Sequence, residues 1–319
     1  MLYYFAPLEG ITSRLYHEIH RDFFPMLDRY VTPFFVPSIK GLSTKDRSQL
    51  SHALLSGLPL IPQLLTNRSE DFIQSANQLQ DLGCSEVNLN LGCPSGTVFS
   101  KGRGAGALRD LDALRAFLDA IFADCPLPIS IKTRIGVSDP KEWEALLPLY
   151  NEYPIHELTI HPRIRNEHYR GSPHTDAFAM ALQESRAPVV YSGDLFTPDQ
   201  VATFAEHYPQ AKGIMLGRGL IANPALHATV TQGELLTTST LLAFHDRLFL
   251  RYRELLFGER PVLHKMKELW HYMICMFPEH EPQAKRIRKA QNLSDYHGAV
   301  SSIFRDLILD PYRGYQPPA

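Results

Sequence analysis

No apolar run in the 319-residue chain approaches the roughly 20 residues of a membrane-spanning helix, so no membrane partner is expected. An excess of one charge is also lacking. The 32 Lys and Arg face 34 Asp and Glu, for a formal net charge of −2, so a polyanion could be met only by a local basic patch. Cysteine is scarce: Cys84, Cys93, Cys125 and Cys275 are scattered, with no CxxC pair and no metal-ligand spacing. That pattern argues against a disulfide framework and a structural zinc site, and for reduced thiols; no metal is expected. Residues 1–5 have neither the basic leader nor the length of a secretory signal, and the expected compartment is the cytoplasm. Low-complexity segments are absent. No interface-like stripe stands out, and a monomer is expected.

The most informative stretch is residues 86–94, Glu-Val-Asn-Leu-Asn-Leu-Gly-Cys-Pro. Val87, Leu89 and Leu91 alternate with Asn88 and Asn90, as in a strand whose two faces see different surroundings. The strand breaks at Gly92, and Cys93 follows at once, ahead of a glycine-rich loop through Gly106. Cys93 reads either as a small buried hydrophobe or as a reactive thiol at a strand end, where α/β enzymes build their sites.

The same strand-then-helix alternation recurs along the chain. Apolar strands are expected over 2–7, 30–36, 58–65, 87–91, 129–135, 156–161, 188–191 and 213–216. Helical patterns lie between most of them, some with legible caps: Thr12 or Ser13 before the first, and Thr197-Pro198 before another. The reading is a (β/α)8 TIM barrel over residues 1–234. After a linker near 230–238 the strand signals stop. Residues 240–257, 262–276, 283–291 and 295–309 read as helices of a small all-α domain over 235–319.

The unusual residues fall at the C-terminal ends of the expected strands, where barrel active sites are built. They are Pro7 and Glu9, Gln63, Asn90 and Cys93, Lys132, His161, Ser192-Gly193-Asp194, and Gly217-Arg218. Lys132 interrupts an apolar strand, which costs free energy unless it meets a carboxylate, an anion or an electron-rich ligand. His161 alone would suit a hydrogen-bonded core position. The glycine turns after the seventh and eighth strands let backbone N–H groups approach a phosphate, which Arg218 could neutralise. Together these residues suggest a phosphorylated cofactor across the barrel mouth.

Seven motifs then carry a resemblance. Ala-Pro-Leu-Glu-Gly at 6–10, Gln-Leu-Leu at 63–65, Asn-Leu-Asn-Leu-Gly-Cys-Pro-Ser at 88–95 and Lys-Thr-Arg-Ile-Gly at 132–136 are four of them. Thr-Ile-His-Pro-Arg at 159–163, Ser-Gly-Asp at 192–194 and Gly-Arg-Gly at 217–219 complete the set. In order and spacing they resemble the tRNA-dihydrouridine synthase family, in a diverged bacterial branch. The resemblance implies an FMN-dependent flavoprotein oxidoreductase that uses NADPH to reduce the C5–C6 double bond of D-loop uridines in tRNA to dihydrouridine. By position, Pro7, Leu8, Glu9, Gln63, Lys132, His161, Ser192, Gly193, Asp194, Gly217 and Arg218 would hold FMN. Cys93 would be the catalytic acid, and Asn90 would face the flavin and the uracil. Two positions depart from the family pattern: Ser192 stands where asparagine is usual, and Pro162 where glycine is commoner.

For the tRNA, the loop 162–173 offers Arg163, Arg165 and Tyr169, which could grip phosphates or stack on bases. Lys101 and Arg103 follow Cys93. In the helical domain Lys265 and Lys267, and Lys285, Arg286, Arg288 and Lys289, concentrate positive charge in a chain that is slightly negative overall. Competing readings are a small-molecule FMN barrel of the dihydroorotate dehydrogenase type and a tRNA-binding protein without catalysis.

Overall fold

The structure is a computed structural model and describes residues 1–316; residues 317–319 of the expected helical domain lie outside them. Nine parallel strand segments are present: β1 (Leu2–Phe5), β2 (Arg29–Val31), β3 (Leu60–Ile61), β4 (Gln63–Leu64), β5 (Val87–Leu91), β6 (Ile129–Gly136), β7 (Glu157–Ile164), β8 (Val189–Tyr191) and β9 (Gly213–Leu216). They pair in the order β3-β2-β1-β9-β8-β7-β6-β5-β4. The two ends of this order are halves of one expected strand, separated only by Pro62. Proline has no N–H to donate, so the ladder lapses there and resumes on the other neighbour. Its carbonyl still accepts from Asn88 N–H at 2.9 Å. The expected TIM-type barrel, followed in sequence by all-α helices, is therefore the observed architecture.

Several expected boundaries move. The second strand is only Arg29–Val31, and the polar stretch after it contains the helix Thr44–Leu55, which buries little beyond Leu50 and Ala53. The helix Leu226–Gln232 runs into the start of the expected linker. The sixth expected strand continues beyond His161 to Ile164, so the basic loop begins later than the sequence pattern suggests.

The chain divides into two compact units. The first comprises Met1–Glu9, Asp28–Gly193 and Pro209–Met215, and thus the strands. Its strands are buried on both faces, as parallel strands covered by helices must be. Tyr4, Ala6, Val31, Ile61, Val190 and Met215 form one core cluster against which Leu2 and Leu8 pack. Gly213 permits the close approach of β1 and β9: a Cβ there would come within 2.6 Å of the Leu2 carbonyl oxygen and of the Tyr4 ring.

The second unit gathers Gly10–Leu27, Asp194–Tyr208 and the chain from Leu216 onward. Here the helix Arg14–Phe23, capped by Ser13, lays its aromatic face on the helix Thr238–Leu255. Phe244 meets Tyr16 and Phe24 edge-on at 5.8 and 5.4 Å between ring centroids. Further along, His245 Nε2 and Trp270 Nε1–H both reach the Tyr296 hydroxyl, at 2.6 and 2.9 Å. These three buried polar groups are thus matched to one another inside the bundle. No helix among the described residues is long and apolar enough to cross a membrane.

Candidate active site

The turn that carries Cys93 is built from β5. Asn90 accepts the backbone N–H groups of Gly92 and Cys93 on its Oδ1, at 3.0 and 2.9 Å, and donates from Nδ2 to Gln63 Oε1 at 2.7 Å. Gln63 donates to Asn88 (2.8 Å), and Asn88 to Ser130 (2.9 Å). An unpaired buried amide costs about 1–3 kcal/mol, so this chain of amides both satisfies itself and fixes the turn. Asn90, expected to face the ligands, thus has its carbonyl oxygen committed to the Cys93 turn. Asn88 and Ser130, which complete the chain, carried no signal beyond polarity in an apolar strand.

Cys93 is half-buried. Burial raises its pKa; the Ser95 backbone N–H and the charges of Arg134 and Lys132 pull it down, and Glu9 adds to the rise. The balance keeps the thiol protonated at neutral pH. The loop beyond folds back on the residue: Ala105 N–H donates to the Cys93 carbonyl at 3.1 Å. Gly104, at φ +55°, leaves no room for a side chain, since a Cβ would lie 2.9 Å from the Cys93 Cβ. Lys101 is exposed, and Arg103 reaches Asn67 at 3.4 Å. A cavity of about 400 Å³ behind this loop is lined by Asn67, Gly102, Arg109 and Phe117; neither Cys93 nor Lys132 lines it.

Lys132 lies beside Asn90 in register on β6. Burial, and then repulsion by Arg134, push its pKa down to about 7, with Cys93 acting weakly the other way. No carboxylate of the described residues pairs with it, which removes the ion-pair explanation for a lysine inside an apolar strand. Arg134, two residues on, is buried and donates to the carbonyls of Gly92 (2.9 Å), Ile164 (3.0 Å) and His168 (2.8 Å). Sequence reasoning missed its role; the signal was a second charge in the same strand.

On β7, His161 is buried and stacks on Tyr169 at 5.8 Å. Arg163 was expected to grip RNA, but it is fully buried because β7 runs past it. Its guanidinium donates to the Arg170 carbonyl at 3.2 Å, to the Gly171 carbonyl, and to His161 Nε2 at 3.3 Å. It braces the loop from within. Arg165 stacks on Phe99 at 4.1 Å, and Tyr169 stays half-exposed.

At the first strand end Pro7 and Leu8 are half-buried and Glu9 is exposed. At the end of β8 the Ser192 backbone N–H donates to Ile160 O at 2.9 Å, while its hydroxyl has no hydrogen-bond partner among the described residues. Gly193 is confined, since any Cβ would run into the Tyr191 ring.

In the second unit Asp194 pairs with Arg218, the residue after Gly217, at 2.5 Å. Both side chains are mostly buried, and the guanidinium also lies over Phe196 and Tyr315, at 5.1 and 5.2 Å from the ring centroids. Lys265 and Lys267 are spent internally: Lys265 on the Gly10 carbonyl and on Glu268 (2.6 Å), Lys267 on the Ala290 carbonyl. Lys285, Arg288 and Lys289 are exposed on the helix Glu281–Lys289, and Arg286 also contacts Ser302 at 3.0 Å.

The profile of the dihydrouridine synthase family matches residues 4–296. The chain belongs to this family. A probable tRNA-dihydrouridine synthase of Staphylococcus aureus (strain COL) is 27% identical over 267 residues, covering 78% of this chain and 77% of that protein. The tRNA-dihydrouridine synthase B of Pseudomonas syringae pv. tomato is 28% identical over 247 residues, covering 76% and 71%. Among solved structures, morphinone reductase superposes with a TM-score of 0.52 at 14% identity, over 75% of this chain and 88% of that one. The old yellow enzyme homologue from Zymomonas mobilis gives 0.52 at 12%, over 73% and 89%. These two speak to the fold alone.

Proposed function

We propose that this member of the dihydrouridine synthase family is a tRNA-dihydrouridine synthase, with FMN as cofactor, NADPH as reductant and Cys93 as proton donor. Its oxidoreductase character follows from the family. The observation that carries the finer reading is the pairing, on adjacent strands, of a protonated thiol on a fixed turn with a lysine that has no carboxylate partner. The named relatives are synthases acting on tRNA, which supports the substrate.

The residues present fit FMN. Lys132 offers an unmatched ammonium to an electron-rich ring system, beside Asn90 and Gln63. Ser192 offers a spare hydroxyl, and Gly193 a backbone without a Cβ of its own. In the second unit Arg218 offers a guanidinium for a phosphate, with Asp194 orienting it. Bound and reduced, FMN supplies the hydride that saturation of the uracil C5–C6 bond requires. Cys93 then does what the protein must do for the other half of the reaction: it holds a proton on Sγ at neutral pH and gives it to the carbon that has become basic. Tyr169 and Arg165 at the rim, with Lys101 and Arg103, would receive the RNA; the uridine must leave its stack to reach a barrel mouth.

The test is reduction of unmodified tRNA by the purified protein with NADPH, read as dihydrouridine formed, alongside the flavin absorbance of the protein. Cys93→Ser is expected to retain flavin while slowing dihydrouridine formation by about 10²-fold or more, since a hydroxyl is a far weaker acid than a thiol. Wild-type turnover in that variant would overturn the assignment of Cys93. A colourless protein would overturn the cofactor.

A further inference from the structure

We propose that Tyr315, from the C-terminal segment, is a positioning residue that holds Arg218 ready for the cofactor phosphate. The inference rests on the reading that Arg218 meets the phosphate of FMN.

Arg218 is held on several sides. Asp194 takes one edge of the guanidinium at 2.5 Å, and Phe196 and Tyr315 receive it over their rings. Burial raises the pKa of the Tyr315 phenol, and the charge of Arg218 in turn draws it down. Phe196 and Tyr315 meet edge-to-face at 5.4 Å, which closes the aromatic corner around the charge. Tyr315 is itself buried, at 7% exposure, 97 residues away in sequence from the arginine it touches.

The segment that delivers Tyr315 is anchored along its length. Asp310 N–H donates to the Met276 carbonyl at 2.9 Å. Asn223 donates to the Pro311 carbonyl at 3.1 Å, and Arg313 to the Cys275 carbonyl at 3.2 Å. Gly314 presses on Phe196 so closely that a Cβ there would overlap the Phe196 carbonyl. Tyr272 and His271 then pack on the Tyr315 ring at 5.2 and 6.1 Å. None of these contacts is made by Arg218, so the tyrosine's place is set independently of the residue it supports.

An arginine left to itself must give up much side-chain freedom when it binds an anion. Here that freedom is lost on folding. The cation–ring contacts and the Asp194 pair also compensate a guanidinium that is mostly withdrawn from water. A phosphate arriving at Arg218 meets a donor already oriented, next to a carboxylate whose charge is shared with it. Tyr315 thereby acts through Arg218 and needs no contact with the cofactor.

The measurement that separates this from mere packing uses two ligands, FMN and riboflavin, which differ only by the phosphate. The full-length chain is stripped of flavin, and dissociation constants for both are read by flavin fluorescence for wild type, Tyr315→Phe and Tyr315→Ala. Tyr315→Ala is expected to weaken FMN by about tenfold and Tyr315→Phe, which keeps a ring over the guanidinium, by less, with riboflavin unchanged in both. Parallel loss of FMN and riboflavin affinity in Tyr315→Phe, which keeps the ring and its packing, would make the tyrosine a structural residue and overturn the inference. So would a wild-type preference for FMN that neither substitution reduces. A wild-type protein that binds FMN no better than riboflavin would overturn the phosphate reading of Arg218 itself, and this inference with it.

Discussion

The two ends of the barrel bury charge in opposite ways. At the N-terminal end, Glu157 opens β7 and accepts a 2.5 Å hydrogen bond from the Tyr4 hydroxyl. Glu86 lies nearby, with Arg29 and His156 each 3.7 Å from it. Burial lifts Glu157 to about 7, against the pull of the Tyr4 bond and with a further push from Glu86. At the C-terminal end, Lys132 is driven down to about 7 by burial, yet no carboxylate comes to meet it. One end gives each of these carboxylates a partner within the chain; at the other, no carboxylate among the described residues pairs with Lys132. On the proposed function, the first end serves stability and the second chemistry, as is general for this architecture.

Removing the charge at each end sharpens that assignment. Lys132→Met carries the largest expected effect: flavin reduction or retention falls by about 10²-fold, as when a preorganised electrostatic donor is lost elsewhere. The melting temperature holds or rises, because an unmatched buried charge is gone. A drop in melting temperature with flavin chemistry intact would break the comparison. Glu157→Gln is expected to leave flavin chemistry intact and to change only stability and its pH dependence. The folded-state value of about 7 exceeds the ordinary 4.5, so the folded protein binds more protons between those limits, and wild-type stability falls as pH rises through that window. Glutamine keeps an acceptor for Tyr4 without the charge. It should flatten the slope and add about 1–3 kcal/mol at pH 8, measured by denaturant titration at pH 5 and pH 8, with activity unchanged.

A region outside both barrel ends serves as control. Arg286→Glu with Arg288→Glu, on the helix Glu281–Lys289, should weaken tRNA binding about tenfold and lessen its salt dependence while sparing NADPH oxidation. Equal loss of both activities would show that these charges support the fold.

How much of this could be read from residues alone differs by the kind of signal. Cys93 and Lys132 stand out as candidates because a thiol after a strand break, and a charge inside an apolar strand, are local anomalies. Arg163 was misread as an RNA ligand because a basic, aromatic stretch after a strand looks like a solvated loop. Only the extension of β7 and the carbonyls of Arg170 and Gly171 make burial of a guanidinium tolerable there. Lys265 and Lys267 likewise read as free charge, since their acceptors, the carbonyls of Gly10 and Ala290, are brought to them by tertiary folding. The helix Thr44–Leu55 escaped notice because it buries almost no apolar face, and periodicity is all that a sequence offers. Arg218 announced itself through its glycine neighbours, whereas nothing near Tyr315 hinted at what it touches.

Arg134 has a mechanical consequence. Its single guanidinium fastens the carbonyl of Gly92, one residue before the thiol, to those of Ile164 and His168 in the segment that follows His161. The two segments flanking Cys93 and His161 are therefore riveted into one plate. To part them, a buried cation would have to lose either its Gly92 acceptor or both of the others. On the proposed function, a base entering here would displace side chains such as the half-exposed Tyr169, while the backbone around Cys93 stays where folding left it.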